Sequence, residues 1–184
     1  ARMRQEPRDK NSDPVEVTAP RMTFEVDTNI SSSEGGVTLN NGRQEGRSDQ
    51  VYYEEDRGLA VFNDNKEVVL IRRREGKGDL VIRAREVRSL TNEKRLLATG
   101  GVTLVDGDIT TTGASLIYND NTGEATIVAG RVGNQNVPAR SVNAKERATL
   151  SGNSLLHNVN RSQVRVLAQA PRLPVSDFRK LSEQ

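Results

Sequence analysis

Apolar and polar residues alternate along most of this chain in short runs. Val15 and Val17 are followed by Met22, Phe24 and Val26, then by Val37 and Leu39, Val51 and Tyr53, and Leu59 and Val61. Period-two spacing broken by Gly, Asn and Asp is the pattern of half-buried strands joined by turns. The turns are legible as Asn40-Asn41-Gly42, Gly76-Lys77-Gly78, Asp106-Gly107 and Asn121-Thr122-Gly123, each with residues that tolerate positive φ. Val68-Val69-Leu70-Ile71 and Leu80-Val81-Ile82 predict a hairpin with a glycine-rich tip, and Val164, Val166 and Ala168 predict a last strand. No stretch carries a 3.6-residue period over helical length. Parallel α/β architectures are therefore excluded, because nothing can serve as their crossover helices. The expected class is all-β: a sandwich, a jelly roll or a solenoid of antiparallel strands.

The pattern also repeats. Gly35-Gly36-Val37-Thr38-Leu39-x-x-Gly42, with Tyr53, Gly58 and Ala60 after it, recurs at an offset of 65 residues as Gly100-Gly101-Val102-Thr103-Leu104-x-x-Gly107 with Tyr118, Gly123 and Ala125. Ser151-Gly152-Asn153-Ser154-Leu155 begins a degenerate third copy. One supersecondary unit used repeatedly predicts a stacked or rolled sheet with a long continuous surface. The organisation expected is a flexible leader over 1–13, one β-domain over 14–170, and a tail over 171–184 ending in a short helical turn.

Composition narrows the shape and the partners. At 184 residues, with 34% hydrophobic, 3% aromatic and 28% charged side chains, the chain suits a thin fold with much exposed surface. A net charge of +2 makes a weak case for nucleic acid. The charge is uneven, however: 72–95 is rich in Arg and Lys, and Arg72, Arg73, Arg74, Arg83 and Arg85 form a candidate patch for an anionic headgroup or partner. The alternative is the solvated face of a strand pair with a guarded edge. There is no cysteine, hence no disulfide and no thiolate site.

Catalytic motifs are sparse. His157 is the only histidine, and Glu54-Glu55-Asp56 and Asp106-x-Asp108 are the nearest approach to carboxylate clusters, all beside turns. The double glycines do not precede helices, so they lack the dipole of a phosphate loop. No enzyme activity, metal or cofactor is expected. Three readings stay open: a lipid-carrying groove, a solid self-assembling β-repeat, and a sugar- or polyanion-binding protein using Asp106, Asp108 and the 72–95 arginines.

Several blocks resemble the LptA/OstA family of lipopolysaccharide-transport proteins. Pro14-Val15-Glu16-Val17-Thr18-Ala19 is similar to that family's opening strand. Gly35-Gly36-Val37, Thr99-Gly100-Gly101-Val102 and Ser151-Gly152-Asn153 resemble its strand starts, and Ala114-Ser115-Leu116-Ile117-Tyr118 with Gly123-Glu124-Ala125 resembles its small–aromatic–Gly-x-Ala block. The third copy departs by lacking that last block. The resemblance implies a periplasmic, V-shaped β-jelly roll acting in outer-membrane biogenesis, its export signal removed. It implies a lipid-binding interior for lipopolysaccharide or a related amphipathic glycolipid, and end-to-end assembly through edge strands with itself. It also implies LptC-like inner-membrane and LptD-like outer-membrane partners. On this reading the inward groove residues are Val17, Phe24, Val37, Leu39, Val51, Val61, Val102, Leu104, Leu116 and Ile127.

Overall fold

The computed structural model describes residues 1–5 and 15–184; most of the expected leader lies outside the described residues. Among the described residues, seventeen strands follow one another. They are β1 (Arg2–Gln5), β2 (Val15–Thr18), β3 (Arg21–Glu25), β4 (Ile30–Asn41), β5 (Gln44–Glu54), β6 (Leu59–Arg72), β7 (Leu80–Leu90) and β8 (Arg95–Asp106). Next come β9 (Ile109–Gly113), β10 (Ser115–Asn119), β11 (Glu124–Val128), β12 (Gly130–Val132), β13 (Gln135–Val137), β14 (Ala139–Asn143), β15 (Ala148–Gly152), β16 (Ser154–Asn158) and β17 (Gln163–Val166). Fifteen of them form one sheet, all of whose recorded pairings are antiparallel, while β12 and β13 make a separate ribbon. The all-β class read from the alternation is the class observed.

A line of bulges bends this sheet into two leaves. The ladder shifts register between Glu34 and Val37 in β4, Arg47 and Gln50 in β5, Asn63 and Val68 in β6, and Ala84 and Glu86 in β7. An extra residue on one strand bends it and raises its twist, so aligned bulges fold the whole sheet. The double glycines sit on this line: Gly35, Gly36, Gly100 and Gly101 have φ of 88°, 95°, 82° and 88°. At Gly100 a side chain is also excluded by space, since a Cβ would lie 2.8 Å from that of Arg85. Past β8 the bend is made by changing strand. β9 gives way to β10 at Ala114, and β15 to β16 at Asn153.

The first leaf holds β1, β2, the 37–41 half of β4 and its ladder partners, β9, β14 and β15. The second holds β3, the 30–34 half of β4 and its partners, β10, β11, β16 and β17. Registered pairs run across the inner face of the first leaf as Val17, Leu39, Gly46, Leu70, Ile82, Leu104, Thr111, Ser141 and Leu150. The facing row is Met22, Ser33, Val51, Phe62, Val87, Ala98, Leu116, Ile127, Leu155 and Val166. Apart from Leu150 and Val166 at the far edges, their apolar members pack into one core cluster between the leaves.

At both chain ends the structure makes contacts that the alternation does not mark. Arg2–Gln5, inside the expected flexible leader, form an edge strand registered against Val15–Thr18, with Met3 packed on the core. The tail folds back over the outer face of the second leaf, where Phe178 is fully buried with Leu59, Val61, Leu90 and Leu97. Its helical turns are short 3₁₀ segments, Val175–Phe178 and Leu181–Glu183.

Candidate functional site

Most of the expected groove residues line the space between the leaves. Val17, Val37, Val51, Val102, Leu104, Leu116 and Ile127 face inward and are buried, and Leu39 faces inward half-buried. Two do not fit. Val61 pairs with Tyr52 and Arg88 on the outer face, under the tail, while its neighbour Phe62 points inward. The run Leu59-Ala60-Val61-Phe62 is buried on both faces, so alternation cannot assign its facing. Phe24 shares a row with Ser31 and Tyr53 but is 54% exposed, because β3 is the edge of its leaf.

The centre of this interior is filled. Leu104, Leu116, Ile127, Val68 and Val87 are at or near zero exposure. Packed sheets stand about 10 Å apart, a gap that interdigitating side chains occupy.

Two polar clasps tie the leaves together. Arg72, at the end of β6 in the first leaf, forms a two-pronged ion pair with Asp120 beside β10 in the second, and donates to the Tyr118 hydroxyl at 3.2 Å. Tyr118 donates in turn to Asp120 at 3.0 Å. The hydrogen bonds to Asp120 raise the Arg72 pKa. Burial works against ionising Asp120, yet Arg72 holds its carboxyl below the usual range. Burial and the Asp120 charge push the Tyr118 hydroxyl up to about 12.

The second clasp centres on Asp106, which is almost completely buried. Its carboxylate accepts from Arg74 at 2.7 Å, from the Ser162 hydroxyl at 3.2 Å, and lies 2.9 Å from His157 Nε2. Arg74 also donates to the carbonyls of Gly78 and Val159 at 2.9 and 3.0 Å. Burial favours the neutral acid, but His157 and Arg74 keep Asp106 below its ordinary pKa, hence ionised and purely an acceptor. His157 Nε2 is then the donor. On the other side of the ring, Nδ1 lies 2.9 Å from the Thr111 hydroxyl, which in turn lies 2.8 Å from that of Ser141. The chain Ser141–Thr111–His157–Asp106–Arg74 joins β14, β9, β16 and β8 to the 73–79 loop.

A hydroxyl, an imidazole and a carboxylate in sequence are the parts of a nucleophile relay. Here Thr111 and His157 are at 0% exposure and Thr111 already holds two partners, so no reacting carbonyl can approach within about 3 Å of its oxygen. The arrangement holds the leaves together instead.

Beyond this clasp the roll opens. A cavity of about 610 Å³ lies between the free edges β15 and β17, lined by Ile109, Asn143, Leu150, Leu156, Val164, Arg161 and Arg165 among others. The volume is in the range of small-ligand sites. At this mouth inward-facing Leu150 remains 38% exposed, and inward-facing Val166, at the end of β17, is 46% exposed.

The five arginines expected to form one patch are dispersed. Arg72 and Arg74 are spent in the clasps. Arg73 pairs with Glu45 and Asp79 at 3.2 and 3.3 Å, Arg83 sits 3.8 Å from Glu67, and Arg85 stands exposed at the bulge. Their proximity in sequence is that of a hairpin, whose residues alternate between faces. The clasp partners were visible singly in the sequence as Tyr118, Asp106 and His157, but their pairing is long-range. One signal was available: an acidic residue stands two positions after each repeated tyrosine, Glu55 and Asp120.

No protein-family model matches the chain. No curated protein matches it either. Among solved structures it is similar to the crystal structure of LptH from Pseudomonas aeruginosa, the LptA-homologous periplasmic component of the conserved lipopolysaccharide transport device. The TM-score is 0.55 at 11% identity, covering 58% of this chain and 76% of that one. At that identity the likeness is one of architecture: the chain has the LptA-like β-jelly-roll fold.

Proposed function

We propose that this chain is a non-enzymatic, periplasmic lipid-binding module that receives the acyl chains of lipopolysaccharide or a related glycolipid between its leaves. It serves as one unit of a bridge between inner and outer membrane. The observation that carries this reading is the inward apolar row Leu116, Ile127, Leu155 and Val166, which runs out to β17 beside the 610 Å³ mouth. Ile109, Leu150 and Val164 supply apolar wall there, and Arg161 and Arg165 stand where an anionic headgroup would meet water. The fold shared with a lipopolysaccharide-transport component supports the same cargo. Ten buried methylenes contribute about 8 kcal/mol, enough to hold a lipid without chemistry. Since the central interior is packed, acyl chains enter by spreading the leaves from the mouth.

Both ends of the roll carry edges suited to assembly. Among the described residues β1 pairs only with β2, β3 only with β4, β15 only with β14, and β17 only with β16. Strand addition at such edges joins copies end to end and docks LptC-like and LptD-like partners.

A photo-crosslinking residue at Leu150 or Val164, exposed to lipopolysaccharide, captures lipid, while one at outward-facing Val142 does not. The filled interior favours a second reading, a solid structural module that assembles without cargo. Absence of an adduct at both inner positions, with assembly intact, would establish that reading instead.

A further inference from the structure

The outer face of the second leaf is a built peptide site. Phe178 fills an apolar pocket of Leu59, Val61, Leu90 and Leu97. Around it, arginines grip the segment's backbone. Arg57 donates to the carbonyls of Asp177 and Arg179 at 3.2 and 2.6 Å, and Arg88 to that of Phe178 at 3.0 Å. The same side chains read its acids: Arg88 bonds Glu183 at 2.9 Å, and Arg95 bonds Asp177 at 3.2 Å while lying 5.3 Å from the centre of the Phe178 ring. Glu54 accepts the Leu181 amide at 3.0 Å. An aromatic anchor held by charge-assisted bonds to main-chain carbonyls is how a groove recognises a peptide, not how a sheet is extended.

The connector that delivers the segment is lightly held. Residues 168–172 are exposed, and Pro171 and Pro174 keep the segment from joining a ladder. The connector leaves from Val166 on β17, a free edge. Leu173 packs on the same cluster as Ile117 of β10, a strand that lies three spacings, about 14 Å, from β17. The seven steps from Val166 to Leu173 span about 24 Å when extended. A second copy whose β17 lies beside this one adds a single spacing, giving about 19 Å across the strands.

We propose that this site exchanges its occupant: when two copies meet along their β17 edges, each seats its 171–184 segment in the other's pocket. The result is a reciprocal two-fold pair in which the swapped segment keeps all its native contacts. Such a pair occupies the β17 edge and closes the mouth that end-to-end assembly would use. It needs neither cargo nor that assembly.

The cysteine-free chain makes the test direct. A full-length acceptor carrying Ile117→Cys and Phe178→Ala is mixed under mild oxidation with a full-length Leu173→Cys donor. The proposal predicts a disulfide-linked donor–acceptor pair, in several-fold excess over acceptor–acceptor pairs, that is lost when the acceptor also carries Arg88→Ala. Met3→Pro, which breaks the opposite edge, leaves this product unchanged even where it abolishes end-to-end association. Cross-linking confined to a single-chain Ile117→Cys/Leu173→Cys variant, with no mixed pair at any protein concentration, would overturn exchange and leave end-to-end assembly standing. Independently, a fluorescent peptide of residues 171–184 binds the Phe178→Ala chain; failure to bind overturns the site itself.

Discussion

The two copies of the repeat build the same bend and then hold their leaves in opposite ways. β4 and β8 are the same length, begin and end 65 residues apart, and bend at the same Gly-Gly pair. Yet inside the first copy Gly46 leaves room for apolar cover, since a Cβ there would sit 3.0 Å from Leu70 and 3.8 Å from Phe62. The equivalent of Gly46 in the second copy is Thr111, and that of Asn41 is Asp106, so the same places carry the buried clasp with His157. The strands differ as well. β5 runs unbroken through the bend, whereas its counterpart is divided into β9 and β10 at Ala114. What repeats, then, is the geometry of folding a sheet over. How firmly the leaves are joined is set by a few non-repeated side chains.

The sharpest break of this comparison is Asp106→Leu. It strands Arg74 and His157 in a buried site and is expected to cost about 3–5 kcal/mol. Asn41→Leu at the equivalent place should stay within about 0.5 kcal/mol, both read by urea unfolding. Leu104→Ala should cost about 3 kcal/mol, and half-buried Leu39→Ala about 1 kcal/mol. A reversal of that order would mean that the first copy, not the second, anchors the core.

Acid sharpens the same contrast. Asp106 and Asp120 have folded pKa values below their unfolded ones, so their contribution is complete above about pH 4 and disappears as pH falls through the folded values. An Asp106→Asn/Asp120→Asn variant should therefore unfold with a shallower pH dependence below pH 4. In base the sign reverses for Tyr118: its raised value of about 12 gives stability that is present below pH 10 and lost between about 10 and 12. The smallest effect is expected at exposed Arg73→Ala, under about 0.5 kcal/mol despite two ion pairs.

What was legible in the sequence was the part encoded locally. Alternation and turn chemistry place the strands, while the double glycines, legible only as strand starts of the repeat, lie on the fold line, where a positive φ favours glycine. The inward set follows from alternation wherever one face is wet, and fails at Leu59–Phe62, where the tail covers the other face. The tail's role was hidden for the same reason. Phe178 stands in a polar stretch whose pocket is assembled from β6, β7 and β8. The clasps were hidden because Arg72 and Asp120, or Asp106 and His157, meet only after the sheet has closed. A run of arginines in one hairpin therefore looked like a patch and proved to be two members of the polar clasps, Arg72 and Arg74, and three surface residues.

The claim that acyl chains lie between the leaves implies that the mouth must widen to admit them. Spin labels at Ala148 on β15 and Gln163 on β17, both exposed at its rim, report that distance. Pulsed dipolar spectroscopy should show the distribution shift to longer distances when lipopolysaccharide is added. An unchanged distribution at saturating lipid would contradict the account.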